Sequence, residues 1–115
     1  MNTEDVTKRC LSLAGAGEEY PFGPQPAVYK VGGKIFALLG EDAEPPRVSL
    51  KLPPDEVQAL QAQYEGTVLP GYHLNKRHWV TVLLNGVLDD GELKALIEES
   101  YDVVVATLPK RLRPR

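Results

Sequence analysis

The plainest pattern in the chain is Arg47-Val48-Ser49-Leu50-Lys51-Leu52, where polar and apolar residues alternate without a break. Successive side chains of a strand point to opposite faces, so Val48, Leu50 and Leu52 face a core while Arg47, Ser49 and Lys51 face away from it. Ala27 to Val31 and Lys34 to Leu39 are two more β-forming runs. They flank Gly32-Gly33, the pair a primed hairpin turn requires. Val80 to Leu84 is a fourth such run, closed by Asn85-Gly86, and Thr67 to Leu69 reads as a short strand before Pro70-Gly71. Helical spacing appears in three other places. Residues 3–13 carry Val6, Cys10 and Leu13 on one stripe, with Thr3 placed to cap the helix and Gly15 and Gly17 to end it. Pro53-Pro54-Asp55-Glu56 opens a second helix, with Val57, Leu60 and Tyr64 on its apolar side and Gly66 at its end. Asp89 and Glu92 form a capping-box pattern ahead of Leu93, Leu96, Ile97, Tyr101, Val104, Val105 and Leu108, and Pro109 stops this third helix. Residues 20–26 hold three prolines and form a stiff, irregular connection.

The resulting order is α-β-β-β-α-β-β-α. Short connections force neighbouring strands to pair antiparallel, and three amphipathic helices need an apolar surface to cover. The expected fold is therefore α+β and two-layered, an antiparallel sheet with the helices on one face and the other face open. Alternation assigns Val28 with Lys30 to one face, Lys34 with Phe36 and Leu38, Arg47 with Ser49 and Lys51, and Trp79 with Thr81 and Leu83. If the lysines point outward, the open face combines Lys30, Lys34, Arg47 and Lys51 with Phe36 and Trp79. Cations interleaved with flat rings suit a nucleic acid, whose phosphates meet the charges and whose bases stack on the rings. The competing reading makes Phe36 and Trp79 core residues; it is preferred for Phe36, and Trp79 stays open between the two.

Composition narrows the class without naming a function. The chain has 115 residues, enough for one domain, and one cysteine, Cys10, which has no internal partner and fits a reducing cytoplasm. No apolar run is long enough to cross a membrane, and the start of the chain lacks the basic region of a secretory leader. The net charge of −3 argues against a generic nucleic-acid coat. Its distribution says more. Lys110, Arg111, Arg113 and Arg115 crowd the last seven residues, so residues 1–108, with nine bases against sixteen acids, carry −7. Yet residues 27–39, 47–52 and 72–84 hold Lys30, Lys34, Arg47, Lys51, Lys76 and Arg77 and no acid at all. Positive charge belongs to the strands and tail, negative charge to the helices and turns. Helices favouring Glu and edge strands favouring Lys for solubility would give the same pattern.

The densest polar and aromatic cluster is Pro70-Gly71-Tyr72-His73-Leu74-Asn75-Lys76-Arg77-His78-Trp79. Asn75 is placed to cap a short helical turn over Lys76 to His78, and Lys76 and Arg77 make the segment a candidate anion-contacting loop. His73 and His78, the only histidines, are too few and too badly spaced for a metal site, and no nucleophile motif stands beside them for acid–base catalysis. Gly15-Ala16-Gly17 does not match a phosphate loop. Glu18-Glu19 reads as a solvated turn, and Cys10, on an apolar stripe, as a packing residue.

Four ordered segments resemble one family. Cys10-Leu11-Ser12-Leu13 with Glu19-Tyr20-Pro21-Phe22-Gly23, then Val31-Gly32-Gly33-Lys34-Ile35-Phe36-Ala37, then the 70–79 segment, and finally Leu108-Pro109-Lys110 resemble the MmcQ/YjbR family over about residues 6–112. The resemblance implies a small bacterial cytoplasmic domain of α-β-β-β-α-β-β-α order, grouped with the CyaY-like and secretion-chaperone-like folds. The family is commonly labelled DNA-binding, from a "double wing" arrangement of sheet and loops, and supplies no catalytic residues. The expectation is a single domain over 1–108 with a mobile basic tail over 109–115, monomeric and without cofactor or metal. It would bind DNA weakly through Lys30, Lys34, Arg47, Lys51, His73, Asn75, Lys76, Arg77, His78 and Trp79. Alternatives are a protein-interaction module, chaperone-like or homodimerising through an apolar open face, and a small-ligand or enzyme site around His73 and His78.

Overall fold

The computed structural model describes residues 1–114. Its elements run α1 (Thr3–Ser12), β1 (Gly17–Glu19), β2 (Ala27–Val31), β3 (Lys34–Gly40), β4 (Arg47–Lys51), α2 (Pro54–Gln63), β5 (Val68–Pro70), β6 (Trp79–Leu83) and α3 (Asp90–Ala106), followed by a 3₁₀ turn over Lys110–Leu112. The six strands form one antiparallel sheet in the order β1-β2-β3-β4-β6-β5, and the helices pack on one face of it. This is the expected two-layer α+β arrangement with one added strand.

The addition is β1, which the sequence reading placed in a turn. Its three residues are all exposed, so no hydrophobic alternation marks it. It is held from the side: Glu18 accepts hydrogen bonds from the Tyr29 hydroxyl (2.8 Å) and the Tyr20 hydroxyl (3.1 Å), and Tyr29 also meets Thr7 of α1 at 2.8 Å. Glu18 thus pins the edge of the sheet to α1. The cap of α1 also shifts by one residue. Asn2, not Thr3, accepts the Asp5 amide at 2.8 Å, and Asp5 returns the bond at 3.1 Å in a capping box. Asp89 caps α3 as its sequence predicts, through the Glu92 amide at 2.8 Å.

The β2–β3 hairpin turns at Gly32 and Gly33, whose φ angles of 57° and 82° fit a primed turn. Gly32 also lies against Leu108; a Cβ there would sit 2.5 Å from a Leu108 methyl. Further along the hairpin, Tyr29 pairs with Ala37 but Lys30 pairs with Ile35, leaving Phe36 as a β-bulge. A bulge breaks the alternation. Phe36 and Ala37 both point toward the helices, and Phe36 meets Tyr101 of α3 edge to face at 5.4 Å. Before the bulge the parity is reversed. Ile35 shares the open face with Lys30, and Lys34 faces the helix layer, its Nζ 3.3 Å from Thr107 Oγ1 at the end of α3. Placing Lys34 on the open face was therefore wrong, because strict alternation does not survive the extra residue.

The core lies between sheet and helices, from Val6 and Cys10 through Tyr29, Phe36, Leu39, Val48, Leu50, Val80 and Val82 to Leu93, Ile97, Val104 and Leu108. One polar residue crosses it. Ser100, fully buried, donates to the Phe36 carbonyl at 2.6 Å and accepts the Lys51 amide at 2.8 Å, tying α3 to the bulge and to the end of β4. The tail folds back against the end of α3. Arg113 donates to the Leu108 and Ala106 carbonyls at 2.9 and 3.2 Å, where a cation suits the negative end of α3. Arg115 lies outside the described residues.

Candidate functional site

The face of the sheet turned away from the helices carries Val28, Lys30, Ile35, Leu38, Arg47, Ser49, Lys51, Trp79, Thr81 and Leu83. It is free of helices but not of chain. Val28 is fully buried, Thr81 is 2% exposed and Ser49 8%. Three loops rise over it: the proline-rich connection 20–26, the acidic turn 41–46, and residues 71–78. Together they leave a cleft of about 360 Å³. Leu38, Ser49 and Thr81, side by side on β3, β4 and β6, form its floor; Gln25, Pro26, Asp42, Ala43 and Arg47 wall one side, Tyr72 and Leu74 the other.

Each wall is fixed by identifiable bonds. The Gln25 side chain accepts the Glu41 amide at 2.9 Å, joining two of the loops. Arg47 donates through Nε and Nη2 to the Pro45 carbonyl at 3.3 and 3.2 Å, which holds the guanidinium on the rim. Ser49 and Thr81 share a hydroxyl hydrogen bond of 2.8 Å, and Thr81 Oγ1 also accepts the Tyr72 amide at 3.2 Å. This last contact draws the 71–78 loop over the face. Gly71 makes the approach possible, since a Cβ there would lie 2.7 Å from Trp79 Cβ. Next in line is His73, a non-glycine residue with φ of 58°, whose ring packs against Tyr72 with centroids 4.0 Å apart and planes tilted by 48°. Asn75 does cap the following turn: its side chain accepts the Arg77 amide at 2.9 Å and its carbonyl the His78 amide at 3.1 Å.

With this geometry in hand, the chain can be set against known proteins. The YjbR family model matches residues 11–103. The chain belongs to the YjbR family. YbdF of Escherichia coli O157:H7 is 40% identical over 112 residues, covering 97% of this chain and 91% of its own. YjbR of Escherichia coli K12 is 34% identical, covering 98% and 95%. Among solved structures, Deinococcus radiodurans protein DR2400, described as a DUF419 domain, superposes with a TM-score of 0.91 at 34% identity over 96% of this chain and 84% of that one. A Pseudomonas syringae protein gives 0.76 at 30% identity over 90% and 98%. The two-layer fold is thus shared with these solved structures.

In this YjbR domain the ten sequence-predicted site residues do not form one basic sheet. Lys51 and Trp79 are directly opposed in register on the open face, both half-buried, and Arg47 stands at the far end of the same strand. Lys30 shares the face, but its Nζ lies 3.5 Å from Glu19. Lys34 is on the other side of the sheet. Lys76 folds back onto the Gly71 carbonyl at 3.1 Å, while His73, Asn75 and Arg77 are exposed and His78 is half-buried, its carbonyl accepting the Leu52 amide at 2.9 Å. Neither histidine lines the cleft. Of the cleft residues the site reading named Arg47 alone; it omitted the whole floor and, on the walls, Gln25, Tyr72 and Leu74 among others. Ser49 was read as outward, but only the β4–β6 register could show that Thr81 lies beside it.

Proposed function

We propose that this domain binds nucleic acid through the β4–β6 strip of its open face and the adjoining 71–78 loop, with little sequence preference. The carrying observation is the pairing of Lys51 with Trp79 on a helix-free face whose strands β2 to β6 bear no acidic residue. The cation meets a phosphate, the neighbouring ring offers a stacking surface, and Arg47, Arg77 and the His73 edge extend the contact. Phosphate contacts of this kind release counterions, so binding weakens as salt rises. Asp42 on the opposite wall, with Glu41 and Glu44 in the same loop, keeps the affinity low. On this reading the domain works as a monomer in the cytoplasm.

Fluorescence anisotropy with labelled DNA oligonucleotides at two salt concentrations tests the proposal. Binding tighter than ~10⁻⁴ M at low salt, the weak end of non-specific affinity, is expected. Lys51→Glu should weaken it severalfold and flatten its salt dependence, whereas Lys34→Glu, on the helix side, should leave it unchanged. Absence of binding, or equal loss from both variants, contradicts the assignment.

A further inference from the structure

Within that reading, the shape of the open face bears on the kind of nucleic acid. Ser49 and Thr81 belong to the helix-free face yet are almost sealed from solvent, because they lie at the bottom of a recess walled by three loops. Reading a duplex groove needs an element that protrudes into it, a helix or a two-stranded ribbon. This face recedes instead. A duplex keeps its bases stacked inside and could lay only its backbone across the rims, whereas a single strand can splay a base outward and lower it into a recess.

The lining fits such a base. Leu38 and Leu74 give apolar surface, and Tyr72, 70% exposed and braced on His73, stands as a ring at the mouth. The Ser49–Thr81 pair spends one of its two hydroxyl hydrogens on itself, and the other has no protein acceptor among the described residues. Gln25, Asp42 and Arg47 offer both donors and acceptors around the rim. The volume, about 360 Å³, lies at the lower end of the range for small-molecule sites, room for one base rather than a stack. Lys51 and Trp79 are two residues along the same strands from Ser49 and Thr81, about 7 Å away, within reach of the next nucleotide.

We infer that the open-face cleft seats one unstacked base of a single-stranded nucleic acid, flanked by a neighbour stacked at Trp79. The inference rests on the proposed nucleic-acid binding and is separable from it by experiment. The probes are a fluorescein-labelled 12-mer DNA strand, the duplex it forms with its complement, and the same strand with abasic residues through its centre. The single strand should bind roughly tenfold or more tightly than the duplex. The abasic strand, which keeps every phosphate, should lose about fivefold or more, the stacking contribution of at least one base. Tyr72→Ala should weaken the intact strand but cause no further loss with the abasic one; the ring is exposed, so the fold does not depend on it. Thr81→Val, judged beside an unchanged circular dichroism spectrum, should behave alike. If the duplex binds as well as the single strand, or the abasic strand as well as the intact one, the base site is wrong and binding through the face survives. If no probe binds, both ideas fall. An unchanged affinity in Tyr72→Ala also overturns the base site.

Discussion

Ser100→Ala probes a fully buried polar tie between α3 and the sheet. The Ser100 hydroxyl donates to the Phe36 carbonyl at 2.6 Å and accepts the Lys51 amide at 2.8 Å. It is fully buried, so water has no ready access to replace it. Truncation orphans two backbone groups at once. Each unsatisfied buried group costs about 1–3 kcal/mol, and partial wetting of the Lys51 amide at the half-exposed strand end reduces its share. The expected loss is roughly 2–4 kcal/mol, a large part of the stability of a domain this size. Urea titration followed through Trp79 fluorescence reads this directly. With a slope of about 1–3 kcal/mol/M, the midpoint should fall by roughly 1–3 M at unchanged slope. Lys94→Ala, exposed on the same helix, is the comparison and should shift stability by no more than about 0.5 kcal/mol. If Ser100→Ala also stays within that limit, the hydroxyl does not carry the bulge and the end of β4 as described.

Other expectations concern single residues. Gly71→Ala forces a Cβ to within 2.7 Å of Trp79 Cβ, so it should cost about 1–3 kcal/mol in the same titration and red-shift Trp79 emission as the loop lifts. Burial pushes the Cys10 thiol up to about 12, so native protein at pH 8 should react with a thiol reagent only at its unfolding rate, and fast labelling would show the α1 packing to be wrong. Burial, then a hydrogen bond and repulsion from Glu56, with Asp102 adding to it, push the Glu99 carboxyl up to about 7. The native state therefore holds this proton more tightly than the unfolded chain. Its contribution is complete below the unfolded carboxylate range and is lost as pH rises through about 7. Because the side chain is only partly buried, the loss should be about 1 kcal/mol or less, and Glu99→Gln should remove it between pH 5 and 8 in paired urea titrations.

Much of this architecture could be read before any coordinates. The unbroken alternation over 47–52 and the Gly32-Gly33 turn located three neighbouring strands, β2 to β4, and the 3.6 period with Asp89 and Pro109 bounded α3, because each signal is local. What escaped was set by non-local partners. The edge strand β1 has no buried residue of its own and is held by Glu18 reaching Tyr29. The bulge at Phe36 has no sequence mark, since an extra residue is visible only against the opposing strand, and it moved Lys34 to the wrong side of the prediction. For the candidate site, the 70–79 segment was recognisable from its composition; the pairing of Lys51 with Trp79 needed the β4–β6 register, and only the outward side of Lys51 followed from parity. The cleft did not, because its floor joins three strands and its walls three loops. Counting basic residues likewise overstated the patch: Lys30 is paired with Glu19, and Lys34 faces the helix layer.

The central claim is that the helix-free face is the ligand surface. Two-dimensional ¹H–¹⁵N spectra of the labelled domain, titrated with a 12-nucleotide single strand at low salt, test it residue by residue. The account predicts shifts concentrated at Arg47, Ser49, Lys51, Tyr72, Arg77, Trp79 and Thr81, with Lys34 and the outer faces of the three helices unmoved. Shifts confined to the helix layer or to the Lys34 hairpin tip and the basic C-terminal turn, or a spectrum that does not change, would contradict it.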